Sequence, residues 1–424
     1  LRILYAALMT MLTPILILIL YKRAKAHKED QKRLNERRGV ASIARPQGDL
    51  MWLHAASVGE AQSALILVEK LLEKHPNLSA LVTTGTYTSA QLMEKRLPAR
   101  AVHQFVPLDQ PFWVEKFMAH WEPQIVIWME SELWPNLLHA IKKRGITAAL
   151  VNARMSPRSF KKWMYLRPLI KELLSTFSIV LAQTKQDAIN LKFMGARRVI
   201  ITDNIKYAAA PLPVNDNDLS LLKEAVYERP LWVYASTHDG EEELACRLHI
   251  ELKKKIPQLL TIIVPRHPNR RSVIENSCKA YDLNVTLRTQ QQTPNRDDDI
   301  YIADTLGELG LFYKLAPIAC IGRSFSNDGG GGHNPIEALQ LGAAVLHGPH
   351  IQNLEDIYSY LKASDVAIEV ANENEFLACL EMLLSDKEKC KEQQEKGTRF
   401  IQKKNTVLDL VLMRLHAVWD LRHV

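Results

Sequence analysis

Gly329-Gly330-Gly331-Gly332-His333-Asn334-Pro335-Ile336-Glu337 is the stretch whose reading decides the fold. Four successive glycines remove every Cβ from a turn, so the backbone is free to take positive φ and to come close to a ligand. Asn334 suits an N-cap, Pro335 the first helical position and Glu337 the capping-box position, with an apolar helix running on to Gln340. Just upstream, Pro317-Ile318-Ala319-Cys320-Ile321-Gly322 reads as a buried strand. Strand, glycine loop and helix N-terminus in succession aim free N–H groups and a helix dipole at one point, an arrangement suited to a phosphate. A mobile loop before an ordinary helix has the same composition. The agreement of loop and cap favours the phosphate site.

Around this stretch, short apolar runs alternate with amphipathic ones. The second half predicts strands at Leu231–Ala235, Leu260–Val264, Asn284–Leu287, Ile300–Ala303, Pro317–Ile321 and Ala344–Leu346. The first half predicts Met51–His54, Ala80–Thr84, Ile125–Met129, Ala148–Asn152, Val180–Gln183 and Val199–Thr202. Helical patterns such as Ala61–Lys74, Leu133–Arg144, Glu241–Lys255 and Glu373–Ser385 separate them. Strand–helix alternation of this kind predicts an α/β chain of two parallel-sheet, Rossmann-like halves, with ligands at the carboxyl ends of the strands and a cleft between the halves. Residues 207–217 lose periodicity and carry Pro211 and Pro213, as a linker does. The boundaries expected are 1–21, 22–48, 49–206, 207–228, 229–386 and 387–424, the last a helical stretch able to pack back on the first domain.

The chain of 424 residues is 47% hydrophobic and 24% charged, a globular composition long enough for two domains. Its net charge of +7 is modest and compatible with an anionic substrate, an anionic membrane or nucleic acid. Five cysteines form no C-x-x-C pair, which argues against structural zinc and suits a reducing compartment. Leu1 to Tyr21 is nearly all apolar, about the length that spans a bilayer, and a Lys/Arg-rich flank follows it. Basic flanks stay cytoplasmic and attract anionic head groups, so a membrane anchor with the remaining chain on the cytoplasmic side is expected. Arg2 and Pro14 leave open whether the anchor spans or lies in the interface. A signal peptide is disfavoured because Ala24-Lys25-Ala26 lies inside the basic cluster.

Candidate chemistry sits where strands end. In Ser57-Val58-Gly59-Glu60, Gly59 permits a tight turn. Glu60 reads first as a helix N-terminal acid held by the dipole and second as a general base. Trp128-Met129-Glu130-Ser131-Glu132-Leu133-Trp134-Pro135-Asn136 places two carboxylates at another junction. Their spacing keeps them off a common helix face, and the tryptophans read as core before they read as a ligand floor. Arg154 is able to grip a carboxylate or phosphate bidentately, or to form a surface ion pair. Lys206 closes the first half as a candidate anion partner or a solvated lysine. In the second half, Ser236 and Thr237 offer hydroxyls and N–H groups to a phosphate, and Arg266 meets a phosphate or stacks on a base. The amides near Gly307 suit a nucleotide's base or ribose, and Glu337 suits ribose hydroxyls or its own cap. Asp297-Asp298-Asp299 reads as a solvated turn, and no spacing suggests a metal.

These motifs, with Asn152-Ala153-Arg154-Met155-Ser156, Ser236-Thr237-His238, Pro265-Arg266-His267-Pro268 and Gly331-Gly332-His333-Asn334-Pro335-Ile336-Glu337, resemble in order and spacing one family, the 3-deoxy-D-manno-octulosonic acid (Kdo) transferases of lipopolysaccharide assembly. The resemblance runs over nearly the whole chain. It implies a GT-B glycosyltransferase with an acceptor domain at 49–206 and a donor domain at 229–386. It also implies inner-membrane attachment, CMP-Kdo as donor, the lipid A precursor lipid IVA as acceptor, anionic lipids as partners, and no cofactor, metal or nucleic acid. Carried over by position, Glu60 is the catalytic base of an inverting transfer, with Glu130 and Lys206 in transition-state stabilisation. Pro265, Arg266, Leu306, Gly307, Glu308, Asn334, Pro335, Ile336 and Glu337 contact CMP. Ser57, Gly59, Arg154, Ser236, Thr237, Gly332 and His333 are possible donor or acceptor contacts. The run of glycines before His333, longer than the family pattern, and Asp203-Asn204 ahead of Lys206 depart from it. A nucleotide-sugar 2-epimerase, which shares the two-domain plan without an anchor, and a non-enzymatic anionic-lipid binder are the competing readings.

Overall fold

A computed structural model describes residues 1–208, 210–404 and 406–418. The chain forms two compact units, Leu1–Ala209 with Lys404–Val424, and Ala210–Lys403. Each contains one parallel sheet of seven strands. The resulting pair of Rossmann-like α/β domains resembles the GT-B glycosyltransferases.

Unit 1 contains β1 (Leu50–Ala55), β2 (Ser79–Thr84), β3 (Ala101–Phe105), β4 (Ile125–Met129), β5 (Thr147–Ala153), β6 (Ile179–Ala182) and β7 (Val199–Ile201). They lie in the order β3-β2-β1-β4-β5-β6-β7. β1 shows why its sequence reads as an unbroken apolar run, because both faces are covered. Leu50 and Trp52 enter one core cluster, while Met51, Leu53 and Ala55 enter the other. The chain returns to this second cluster at its far end, where Val407, Leu408, Val411, Leu412 and Leu415 of the helix Thr406–His416 complete it.

Unit 2 contains β8 (Leu231–Thr237), β9 (Leu260–Pro265), β10 (Val285–Leu287), β11 (Ile300–Ile302), β12 (Ile318–Ile321), β13 (Ala344–His347) and β14 (Ala367–Glu369), in the order β10-β11-β9-β8-β12-β13-β14. The strand order reverses between β1 and β4 in unit 1, and between β8 and β12 in unit 2. Such switch points open a crevice at the carboxyl ends of the strands. Within 207–228, Asp216–Ala225 is a helix capped by Asn215.

The N-terminal apolar segment is not one membrane-length helix. Arg2–Met11 and Thr13–Lys25 meet at a 62° bend, and among the described residues no single helix is long and apolar enough to cross a membrane. Pro14 lacks the N–H that would continue the ladder, and Thr10 and Thr13 turn their hydroxyls back onto the carbonyls of Ala6 and Thr10, at 2.9 and 2.7 Å. The pair is also tied to the domain. Arg2 meets Glu172 at 3.4 Å and Gln110 donates to the Thr13 hydroxyl at 3.3 Å. The basic flank is partly turned inward. Arg33 bonds Glu36, Glu94 and the His103 carbonyl, and Arg45 bonds the Trp121 and Gly48 carbonyls. Lys22, Lys25, Lys28 and Lys32 stay exposed.

Candidate active site

In unit 1 the loops after β1, β4 and β7 bring Glu60, Glu130 and Lys206 together. Ser57 caps the helix Val58–Lys74, accepting the Glu60 N–H at 3.3 Å. The Glu60 carboxylate turns back to accept the Ala56 N–H at 2.8 Å and the Ser57 hydroxyl at 3.2 Å. Glu60 is therefore the helix N-terminal acid that the sequence indicates, and these two bonds hold its carboxylate at the crevice. Only 8% of Glu60 is exposed, and burial, followed by the charge of Glu130, pushes its carboxyl up to about 7. A carboxylate so placed accepts a proton near neutral pH, the property a general base needs. Gly59 faces the Lys206 ammonium, which a Cβ there would meet at 3.4 Å, an ordinary contact distance.

Glu130 is buried at the end of β4 with φ +54°, in the left-handed region. Lys206 lies 3.9 Å from its carboxylate, and the Asn152 amide donates to it at 3.4 Å. Asn152, itself at φ +55°, also accepts the Ile205 N–H at 3.0 Å, while Asn204 accepts the Lys206 N–H at 3.0 Å. Asn152 and Asn204 therefore place the lysine. Neither was singled out among the site residues, although an Asn closing a buried strand is the sequence signal that marks both a polar strand end and tolerance of positive φ. Trp128 is fully buried against Trp52 and His54, which makes it core and not a ligand floor. Arg154, half-buried, lines a narrow recess with Glu130, Ser131 and Trp163.

In unit 2 the loops after β8, β9 and β12 meet. Ser236, next to last in β8, takes φ +60°, and the buried Thr237 hydroxyl donates to Glu242 at 2.8 Å. Buried Glu241 accepts the N–H groups of His238, Arg323 and Phe325 at 2.9, 2.7 and 2.9 Å, which fixes the loop after β12. His238 meets Asp328 through Nδ1 at 3.1 Å and His333 through Nε2 at 3.0 Å. Burial and the neighbouring cations push His333 down to about 4, so it is neutral near pH 7.

Three of the four loop glycines sit where their neighbours leave no room for a side chain, whereas Gly329 faces open space at φ +78°. A Cβ would lie 2.0 Å from Arg323 at Gly330, 2.3 Å from the Gln352 backbone at Gly331, and 2.7 Å from Tyr358 at Gly332, whose φ is +30°. The helix that follows is only Ile336–Gln340, with Pro335 at its N-cap position. Asn334 accepts the Ile336 N–H at 3.1 Å and donates to the Glu337 carboxylate at 3.2 Å, a side-chain version of the predicted box. A five-residue helix carries little dipole, so an anion here would rest on loop amides and Arg266 instead. Arg266 is exposed and Leu306 is 81% exposed. Gly307 takes φ +88°, and the Glu308 carboxylate is paired with Arg288 at 2.7 Å, which holds it below the usual carboxylate range.

Residues 32–209 match the family described as 3-deoxy-D-manno-octulosonic-acid transferase (kdotransferase). The chain is 35% identical to the 3-deoxy-D-manno-octulosonic acid transferase of Rickettsia bellii over 96% of its own length and 97% of that protein. Among solved structures it is similar to the UDP-GlcNAc 2-epimerase of Neisseria meningitidis, with TM-score 0.55, 14% identity, and coverage of 87% of this chain and all of that one. It is also similar to a glycosyltransferase of Rickettsia africae, with TM-score 0.54, 13% identity, and coverage of 88% and 99%. At these identities the two structures speak to the fold alone, while the sequence relatives speak to the family. The chain belongs to the Kdo transferases, a family of glycosyltransferase enzymes.

Proposed function

We propose that this enzyme moves Kdo from CMP-Kdo to a hydroxyl of the lipid A precursor lipid IVA, releasing CMP and inverting the anomeric centre. The observation that carries the reading is Glu60, a buried carboxyl held by Ala56 and Ser57 and pushed up to about 7. Glu60 takes the proton of the acceptor hydroxyl, and the oxygen attacks the anomeric carbon opposite the leaving CMP. A carboxylate, an amide and an ammonium (Glu130, Asn152, Lys206) sit beside the base, where charge changes during transfer. Pro265, Arg266, Leu306, Gly307, Glu308 and the segment Asn334 to Glu337 hold CMP, with Ser236, Thr237, Gly332 and His333 near the donor. Incubating lipid IVA with CMP-Kdo and the enzyme, then weighing the lipid by mass spectrometry, tests donor, acceptor and the number of sugars added. Glu60→Ala should abolish the mass gain while CMP still binds. Transfer at a near wild-type rate by that variant would remove the base assignment.

The same reading places the enzyme on the cytoplasmic face of the inner membrane. Ile3, Leu4, Leu8, Met11, Ile15 and Leu18 expose an apolar surface, and Lys22, Lys25, Lys28 and Lys32 follow it. Apolar residues flanked by lysines suit an anionic leaflet. The bend and the Arg2–Glu172 pair favour a segment lying in the interface over one crossing it.

A further inference from the structure

Arg37 comes from the basic flank, yet only 3% of it is exposed. It lies at the end of a short 3-10 helix, Gln31–Arg38. Its guanidinium donates through Nε and Nη2 to one Glu29 oxygen at 3.0 and 2.9 Å, through Nη1 to the Val106 carbonyl at 3.2 Å, and through Nη2 to the Gly85 carbonyl at 2.6 Å. The other Glu29 oxygen accepts from Arg23, on the helix Thr13–Lys25, at 2.9 Å. Gly85 in turn donates its N–H to the Ala56 carbonyl at 3.1 Å. The two backbones touch so closely that a Cβ on Gly85 would lie 2.7 Å from that oxygen. The Ala56 N–H is the donor that holds Glu60.

We propose that Arg37 is a positioning residue for Glu60, acting through the Gly85 and Ala56 peptides, and that Glu29 and Arg23 extend this connection to the N-terminal helix pair. The proposal rests on the assignment of Glu60 as base. A buried guanidinium is suited to the task because its planar fork holds a carboxylate and two carbonyls at once, which an ammonium does not. The Ala56 N–H favours the ionised form of Glu60, whereas burial and the charges of Glu130 and Glu132 oppose it. Loosening the Ala56 peptide therefore weakens the one backbone bond that supports the carboxylate. The base then ionises at higher pH and its aim is lost, while the donor residues of unit 2 are untouched.

The test is the pH–rate profile of Kdo transfer with Arg37→Lys and Arg37→Gln. The expected result is a fall in kcat of tenfold or more at pH 7, an acidic limb displaced upward by half a pH unit or more, and an unchanged KM for CMP-Kdo. A merely structural role would lower the amount of active protein without moving the limb. Thermal melting and CMP binding report whether each variant is folded. Should both fail to fold, Gly85→Ala perturbs the same peptide contact from the other side and should displace the limb in the same direction. Folded variants with a wild-type limb and kcat within twofold overturn the proposal. Glu60→Gln, run alongside, separates the two ideas, because full activity there removes the base, whereas an inactive Glu60→Gln beside an unmoved limb removes Arg37 alone.

Discussion

Replacing Glu60 by Gln should stabilise the protein while abolishing transfer, and the stabilisation should depend on pH. The folded structure carries this carboxyl from its ordinary 4.5 to about 7, chiefly by burial. A value raised on folding means that the native state binds the proton more tightly than the unfolded chain. The stabilisation this gives is complete below pH 4.5, fades as pH rises through 7, and is absent above it. Ionising Glu60 in place therefore costs the folded state about 3 kcal/mol by pH 8. Gln is nearly isosteric, never ionises, and still accepts the Ala56 N–H through its carbonyl. At pH 5 wild type and variant should melt almost together. At pH 8 the variant should melt higher, by about 5–10 °C for a domain of this size. Calorimetric melts of both proteins between pH 5 and pH 8, paired with the lipid mass assay at each pH, make the measurement. A melting difference that is flat across this range would refute the reasoning, because it would mean that Glu60 is not held against its own charge.

Glu130→Gln removes a charge that opposes the ionisation of Glu60, so the acidic limb of the rate profile should move to lower pH even as the plateau kcat falls, and a limb that stays put or rises counts against the coupling. Gly332→Ala forces a Cβ to 2.7 Å from the Tyr358 ring at φ +30° and should weaken CMP binding at least about tenfold by calorimetry, while an affinity within twofold of wild type would show that the loop does not hold the nucleotide. In vesicles displaying the enzyme outward, a membrane-impermeant maleimide should label Leu1→Cys and Lys28→Cys alike, whereas protection of Leu1→Cys alone would show that the segment crosses the bilayer.

Strands buried on both faces were legible because they leave continuous apolar runs. β3 and β14 were not predicted, and both are sheet edges. His103 and Gln104 in β3 and Glu369 in β14 interrupt the run, since an edge strand has less surface to cover. From its local pattern Glu60 read first as a helix N-terminal acid and only second as a general base. What makes it a base is burial first and then the charge of Glu130, seventy positions away in the chain and adjacent because β4 pairs with β1. Arg37 was invisible for the opposite reason. It sits in a run of cations that reads as solvated or lipid-facing, and its carbonyl partners Gly85 and Val106 have no side-chain signature. The anchor failed as a single helix at Pro14, a residue the sequence displays openly. Three of the loop glycines pack against Arg323, Gln352 and Tyr358, and the short helix after them shifts the burden from dipole to amides.

Backbone strain separates scaffold from site. Among the described residues, ten non-glycine residues adopt positive φ. His27, Glu122, Glu228, Asp282 and Asp365 each stand within three residues of the end of a helix, where a left-handed residue satisfies the last carbonyls. The other five, Glu130, Asn152, Asp203, Ser236 and Arg323, stand at or within two residues of the carboxyl ends of β4, β5, β7, β8 and β12. No helix terminus explains these, and each costs on the order of 1–3 kcal/mol. All five belong to the loops that build the carboxylate–lysine cluster or fix the glycine loop. Left-handed geometry lets the chain reverse at once and keep a functional side chain at the mouth of the sheet. Glycine would adopt the same turn more cheaply but would bring no carboxylate, amide or guanidinium with it. At Glu130 and Asn152 the strain is therefore retained because the carboxylate–lysine cluster needs the side chain and the turn at the same residue.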